Sequence, residues 1–308
     1  MRIAITGASG FIGAHAVEAA RVAGHEVHVL GRRKLARGDV AFHCCDLMDG
    51  PAVQRVLGTV RAEALVHLAW YAEPGKFWTA PENLDWLAAS LTLARGFAQA
   101  GGARLVVAGS CAEYDWSSPL LDEATTPLRP STLYGVTKAA LFHALEAAAP
   151  VLGLSFGWGR IFVPYGPGDR PERLIGTLVA ALVEGRHADF SAGTQQRDFI
   201  HAADVGAALI ALLGSDVRGA VNIGSGEAIA VRSLIELAAG LAGGESSLRF
   251  GTRALADGDP PRLVAQILRL RDEVGFRPTF DRIGGLRDTL VRAGLITKAR
   301  QGSENHSQ

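Results

Sequence analysis

Eight residues near the start of the chain constrain its fold more than any other stretch: Thr6-Gly7-Ala8-Ser9-Gly10-Phe11-Ile12-Gly13. They follow Arg2-Ile3-Ala4-Ile5, a short run suited to a buried parallel strand, and lead into an Ala-rich segment that reads as helix from Phe11 to Ala23. Strand, glycine turn and helix in this order set unpaired N–H groups and the positive end of a helix dipole beneath an anion. Gly7 permits the tight turn, Gly10 lets the backbone approach a pyrophosphate, and Gly13 lets the helix pack closely on the strand. Gly7, Ser9, Gly10, Phe11, Ile12 and Gly13 are therefore candidate dinucleotide contacts. The spacing is G-x-x-G-x-x-G rather than G-x-G-x-x-G, and the alternative is a glycine turn with a structural role only.

Beyond this turn, strand and helix signals alternate. Strands are expected at Arg2–Ile5, Glu26–Leu30, Val40–Cys44, Ala64–Leu68, Arg104–Ala108 and Leu154–Phe162, and helices near Phe11–Ala23, Pro51–Leu57, Pro81–Ala100 and Ser131–Ala149. Such alternation implies an α/β fold, a doubly wound parallel sheet with ligands at the carboxyl ends of its strands. From Tyr165 the texture changes, with a Pro/Gly-rich loop at Pro164–Pro171, a helix near Arg173–Glu184 and a polar hinge from Gly193 to Arg197. A helix near Ala203–Leu213, a strand at Ala220–Ile223, and helices near Val231–Leu241 and Arg282–Ala293 follow. The division expected is a nucleotide domain at 1–164 plus about 198–224, a smaller C-terminal substrate lobe at 165–197 and 225–298, and a disordered tail at 299–308.

Composition narrows the partners. The chain has 308 residues, and its 31 basic and 31 acidic side chains cancel, so nothing points to nucleic acid or an anionic membrane. No apolar run is long enough to span a bilayer. Cys44, Cys45 and Cys111 have no metal-type spacing and cannot all pair, which fits a reducing cytoplasm.

Two further positions bear on chemistry. A dinucleotide site of this kind calls for a carboxylate about 20 residues past the glycine turn to bind a ribose 2′-hydroxyl. The chain instead reads Leu30-Gly31-Arg32-Arg33, and Arg32 and Arg33 suit a 2′-phosphate, which favours NADP over NAD. The alternative is a pair of solvated arginines. Asp46 follows the third strand, where it meets an adenine edge or caps a turn; Leu47 beside it, and Leu68 and Ala69 after the fourth strand, complete the candidate cofactor contacts. Tyr134 and Lys138 stand four apart in a helix and share one face. A nearby ammonium favours the phenolate and lowers the phenol from its ordinary pKa of about 10 toward the range of acid–base work.

Together with Arg197-Asp198-Phe199-Ile200-His201-Ala202-Ala203-Asp204-Val205, Asn222-Ile223-Gly224-Ser225-Gly226 and the Arg160 to Pro167 segment, these motifs resemble the extended short-chain dehydrogenase/reductase family. The nearest branch is that of nucleotide-sugar epimerases, dehydratases and ketoreductases, and the resemblance runs from about residue 1 to 295. It implies a Rossmann-like domain, a lobe closing over a nucleotide-diphosphate sugar, and a homodimer through the helices at 81–100 and 131–149. It also implies that Tyr134 is the acid/base and Lys138 its partner.

The chain departs from the family pattern in places. Gly109-Ser110-Cys111-Ala112-Glu113-Tyr114 puts Cys111 at the usual catalytic Ser/Thr position with Ser110 just before it. A thiol is a weak donor, so Ser110 is the alternative, and Cys111 is then a packing residue. Glu113 matches the Glu of the dehydratase Asp-Glu pair and is a candidate substrate contact, but Ala112 replaces the Asp, which sets the dehydratase reading aside. Val163 stands where the branch has a diphosphate-binding Asn. Arg197 suits a diphosphate or, alternatively, an ion pair with Asp198 at the hinge. His201 has a structural role, while Arg262 and Asp259 either reach the nucleotide or lie on a surface loop. Trp70, Tyr71 and Trp78 follow the fourth strand and either shape the sugar pocket or pack.

The reading expected from the resemblance is NADP-dependent reduction of a 4-keto-6-deoxyhexose nucleotide, Tyr134 giving the proton. A 4-epimerase retaining its cofactor is the alternative; a third is a catalytically idle NADP-binding sensor or scaffold.

Overall fold

The computed structural model describes residues 1–34, 39–255 and 258–297; the expected disordered tail at 299–308 lies outside the described residues. Six strands run through the first half, with helices between most of them: β1 (Arg2–Thr6), β2 (Glu26–Gly31), β3 (Ala41–Cys44), β4 (Ala64–His67), β5 (Arg104–Ser110) and β6 (Ser155–Ile161). Short strands β7 (Val163–Tyr165), β8 (Ala188–Phe190) and β9 (Gln196–His201) follow, then β10 (Gly219–Ile223), β11 (Ala228–Ala230), β12 (Leu248–Phe250) and β13 (Arg262–Leu263). The helices are α1 (Phe11–Val22), α2 (Gly50–Val60), α3 (Glu82–Gln99), α4 (Leu133–Leu152), α5 (Leu174–Val183), α6 (Ala202–Gly214), α7 (Val231–Ala242) and α8 (Arg282–Arg292).

Seven strands make one all-parallel sheet in the order β10-β6-β5-β4-β1-β2-β3. This is the Rossmann-like sheet expected. Side chains alternate between its faces: Ile3, Ile5, Ala64, Val66 and Val106 join one buried cluster with residues of α1 and α6, while Ala4, Leu65, Leu105 and Val107 join another with residues of α2, α3 and α4. Both faces are thus covered, which is why the strands read as nearly continuous apolar runs. The chain goes outward from β1 through β2 and β3, then returns to β4 on the other side of β1. That reversal opens a crevice at the carboxyl ends of β1 and β4, where doubly wound sheets take ligands.

A second, mixed sheet orders β11-β9-β13, with β7 also on β9, and β8 pairs with β12. It encloses an apolar cluster that includes Tyr165, Ile175, Leu178, Leu234, Ile235 and Leu286. Two local expectations are corrected here. The polar hinge at Gly193–Arg197 ends early, because Gln196 and Arg197 already pair with Ala230 and Ile229 across β9 and β11. Helix α4 continues past Ala149 with Pro150 in its final turn, and Gly153 at φ 69° ends it.

Candidate active site

The glycine turn has the geometry its sequence requires. Gly7 sits at φ 71°, and a Cβ there would lie 2.6 Å from the backbone N of Ala69. A Cβ on Gly13 would lie 2.0 Å from the carbonyl of Gly7, so α1 packs against the turn with no room for a side chain. Gly10 differs. Its Cβ would meet the Gly7 carbonyl at 3.1 Å and no other heavy atom within 4 Å, leaving the space above the turn free for a pyrophosphate. The crevice beyond it has a volume of about 510 Å³. Gly7, Ser9, Gly10, Phe11, Ile12, Gly13, Arg32, Arg33, Asp46, Leu47, Leu68 and Ala69 all line it. A nicotinamide dinucleotide fits this arrangement.

The turn is tied to β4 by a buried chain of hydrogen bonds whose proton positions follow from counting. Ser90 gives its one hydroxyl proton to the carbonyl of Trp86 at 2.6 Å, so it accepts from His67 Nε2 at 2.8 Å. Burial holds His67 near a pKa of about 3, hence neutral, and its Nδ1 accepts from the Thr6 hydroxyl at 2.7 Å. Thr6 Oγ1 in turn accepts from the N–H groups of Leu68 and Ala69 at 3.2 and 3.3 Å. The ends of β1 and β4, which carry the crevice walls, are locked together.

Arg32 and Arg33 are exposed just past β2, on the crevice. Asp46 also accepts from the Met48 N–H at 3.1 Å, so it caps its turn while lining the site. Arg170 and Arg173, which the sequence reading passed over, line the same crevice from the loop after β7. Arg173 lies 5.7 Å over the ring of Phe11 and pairs with Asp169 at 2.9 Å. The signal for them was the dense charge of Asp169-Arg170-Pro171-Glu172-Arg173 inside a Pro/Gly-rich loop.

Tyr134 and Lys138 occupy the first turns of α4, whose N-terminus is capped by Thr132 Oγ1 accepting from Gly135 N–H at 3.1 Å. A Cβ on Gly135 would lie 2.3 Å from the carbonyl of Ala112. The glycine after Tyr134 thus lets the helix press against the 3-10 turn at Cys111–Glu113, next to Ser110. A hydrogen bond with the Ser110 side chain pulls the Tyr134 phenol down, but burial pushes it up by more, and its pKa ends above the ordinary phenol value. The expected lowering by Lys138 is therefore corrected: the ammonium stands 6.0 Å from the Tyr134 ring centroid, and burial pushes its own pKa down to about 7. Lys138 Nζ donates to the Ala108 carbonyl at 2.8 Å and lies 3.8 Å from the centroid of Trp70.

Ser110 and Cys111 separate clearly. Cys111 packs in an apolar cluster with Tyr114, Leu121, Phe162 and Leu263, and burial pushes its thiol up to about 12. Ser110 is the one that meets Tyr134. Glu113 is 0% exposed and cannot reach a substrate, which corrects its place among the substrate contacts. It accepts from the Ser110 N–H at 2.7 Å, Trp158 Nε1 at 3.0 Å and Arg160 Nε at 2.8 Å, and so props Ser110 from below.

Val163 and Arg197 line a second cavity of about 340 Å³ between β7, β9 and α7. Arg197 is paired there, with Asp259 at 2.5 Å and the Gln196 carbonyl at 2.7 Å, rather than with Asp198. Asp198 instead accepts from the Ser225 hydroxyl and the N–H groups of Ser225, Gly226 and Ala265. Arg262 donates to Gln196 Oε1 and holds the strand edge. His201 is buried, its Nδ1 accepting from the Ala203 N–H at the start of α6. Among the described residues, no helix is long and apolar enough to cross a membrane.

Known proteins resemble this chain in sequence and fold. The chain is 27% identical to UDP-glucose 4-epimerase of Lacticaseibacillus casei, covering 94% of this chain and 95% of that one. The structure of MoeE5 in complex with UDP-glucose and NAD superposes with a TM-score of 0.84 at 31% identity, over 96% of this chain and 99% of that one. The UDP-glucose 4-epimerase of Thermus thermophilus in complex with NAD gives 0.85 at 27% identity, over 96% and 99%. The model of the NAD-dependent epimerase/dehydratase family matches residues 3–224. With its glycine turn, its parallel sheet and its Tyr134/Lys138 pair, this chain belongs to that family of extended short-chain dehydrogenase/reductases.

Proposed function

We propose that the protein is a nucleotide-sugar 4-epimerase that retains its nicotinamide cofactor. The observation that carries the reading is the meeting of Tyr134, Ser110 and Lys138 beside a glycine-turn crevice, in a chain aligned almost end to end with UDP-glucose 4-epimerases. A dinucleotide bound in the crevice would supply the hydride acceptor and donor. Tyr134 would take the proton of the sugar hydroxyl as its carbon is oxidised and return it to the oxygen of the resulting ketone, whichever face of that carbon is reduced. Ser110, held by Glu113, would hydrogen-bond the same oxygen, and the positive ring of an oxidised nicotinamide in the crevice would favour the phenolate that takes the proton. Residues 1–164 with about 198–224 would hold the cofactor, and 165–197 with 225–298 the sugar nucleotide, Arg197 meeting its diphosphate.

The net reduction expected from Arg32 and Arg33 becomes the second reading. Those arginines support NADP, while the MoeE5 and Thermus structures are complexes with NAD. Incubation with UDP-glucose and no added cofactor, followed by proton NMR, tests the first reading: the 4-epimer should accumulate to equilibrium, and mass spectrometry should find NAD in the purified protein. No epimer, together with oxidation of added NADPH by a 4-keto-6-deoxyhexose nucleotide, would replace it with the reductase. Exposed Leu84 and Leu91 on α3 and Val136 on α4 support the dimer through these helices, which sedimentation measures.

A further inference from the structure

Lys138 is only 4% exposed, and its ammonium has three protons to place. One goes to the Ala108 carbonyl at 2.8 Å. Above the same nitrogen lies the face of Trp70, 3.8 Å to the centroid, well inside the range of about 6 Å at which a ring quadrupole attracts a cation.

The ring is held in that attitude. Its Nε1–H donates to Asn83 Oδ1 at 2.8 Å. Asn83 is 0% exposed, and its amide protons go to the carbonyls of Phe77 at 2.7 Å and Ala80 at 2.8 Å. The side-chain oxygen is therefore the end that faces Trp70, and one buried amide ties the indole to the loop ahead of α3.

The other groups around the ammonium give it little support. His67 on β4 is neutral near pH 7, and Tyr134 on the same helix is an un-ionised phenol. Glu113, on the 3-10 turn after β5, favours the cation but is already bonded to Arg160, Trp158 and Ser110. Burial works against the charge.

We propose that Trp70, anchored by Asn83, is the positioning residue of Lys138: its indole face holds the ammonium against the Ala108 carbonyl and keeps it cationic in a buried site. A ring that merely fills space beside Trp86 would be replaceable by any side chain of similar bulk. The proposal rests on the epimerase reading only for what Lys138 does in turnover, and its test needs no sugar.

The full-length protein is labelled with carbon-13 at lysine Cε, and the Lys138 signal is assigned by its loss in Lys138→Arg. Its pH titration is then followed by NMR in the parent, Trp70→Leu and Trp70→Phe. Trp70→Leu should lower the midpoint by about one pH unit, and Trp70→Phe, which keeps an aromatic face, should recover much of that shift. A midpoint that stays put or rises in Trp70→Leu overturns the proposal. Should Trp70→Leu not fold, progressive fluorination of the five tryptophans weakens the ring quadrupole at nearly constant shape. The midpoint should fall stepwise in the parent and stay flat in Trp70→Phe; a flat parent overturns the proposal. Failure of the epimerase reading would show in the sugar product and leave this titration unchanged.

Discussion

The crevice beside β1 and β4 and the cavity between β7, β9 and α7 differ in how they would receive the phosphates proposed for them. In the crevice, Gly10 leaves its space open, and the groups that shape it, Thr6, His67 and Ser90, are satisfied among themselves. In the cavity, the cation that suits a diphosphate, Arg197, is already engaged by Asp259. A ligand entering the crevice displaces no protein contact of the Gly10 backbone's open side. One that takes Arg197 has to compete with a carboxylate. The crevice is preorganised by packing, whereas the cavity is gated by an ion pair.

The largest expected effect tests the crevice side. Tyr134→Phe should lower kcat by about 10³-fold, in the range of a lost general acid–base group, with NADH affinity retained in a fluorescence titration. Equal loss of both would mean that Tyr134 shapes the site rather than moves a proton.

The glycine pair comes next. Gly13→Ala should destabilise the fold by about 3 kcal/mol in urea unfolding, because its Cβ would strike the Gly7 carbonyl at 2.0 Å. Gly10→Ala should change stability by no more than about 1 kcal/mol while weakening dinucleotide binding about tenfold. If the two substitutions behaved alike, the contrast between a packed and an open glycine would fail.

Lys138→Met should abolish turnover yet raise the melting temperature by a few degrees near pH 7, since a buried cation gives way to an apolar chain. The sign follows from linkage. Burial holds Lys138 near about 7 in the folded protein, below the ordinary 10.5, so between those values the unfolded chain binds more protons and stability rises with pH. The advantage of the methionine variant should therefore be full below pH 7 and fade toward pH 10 in calorimetry; a gap constant with pH would contradict it.

The smallest effect tests the gate. Asp259→Asn should tighten UDP binding about threefold by freeing Arg197, and Arg197→Ala should weaken it, both read by calorimetric titration. No change in either would leave the cavity as a lobe joint.

The crevice was legible because its parts are contiguous. Residues 6–13 form one turn, and the steric demands on Gly7 and Gly13 are local properties that a sequence displays. Tyr134 and Lys138 were legible through helical spacing, and Gly135 beside them records how closely α4 approaches the Ala112 carbonyl. Glu113 was misplaced because its position in the chain matches the Glu of the dehydratase pair, while its partners Trp158 and Arg160 lie on β6, which only sheet pairing brings beside it. The choice between Ser110 and Cys111 was open for the same reason: which of two adjacent side chains faces Tyr134 depends on how the strand end is turned by the helix packed against it.

The amino-acid order by itself therefore determined the parallel sheet, the dinucleotide turn and the tyrosine–lysine pair, since periodicity and local sterics are written residue by residue. The tertiary structure decided the electrostatics. Whether Lys138 lowers Tyr134, whether Arg197 stands free, and whether Trp70 carries a cation are set by burial and by partners far away in the chain, and neither is encoded at any single position.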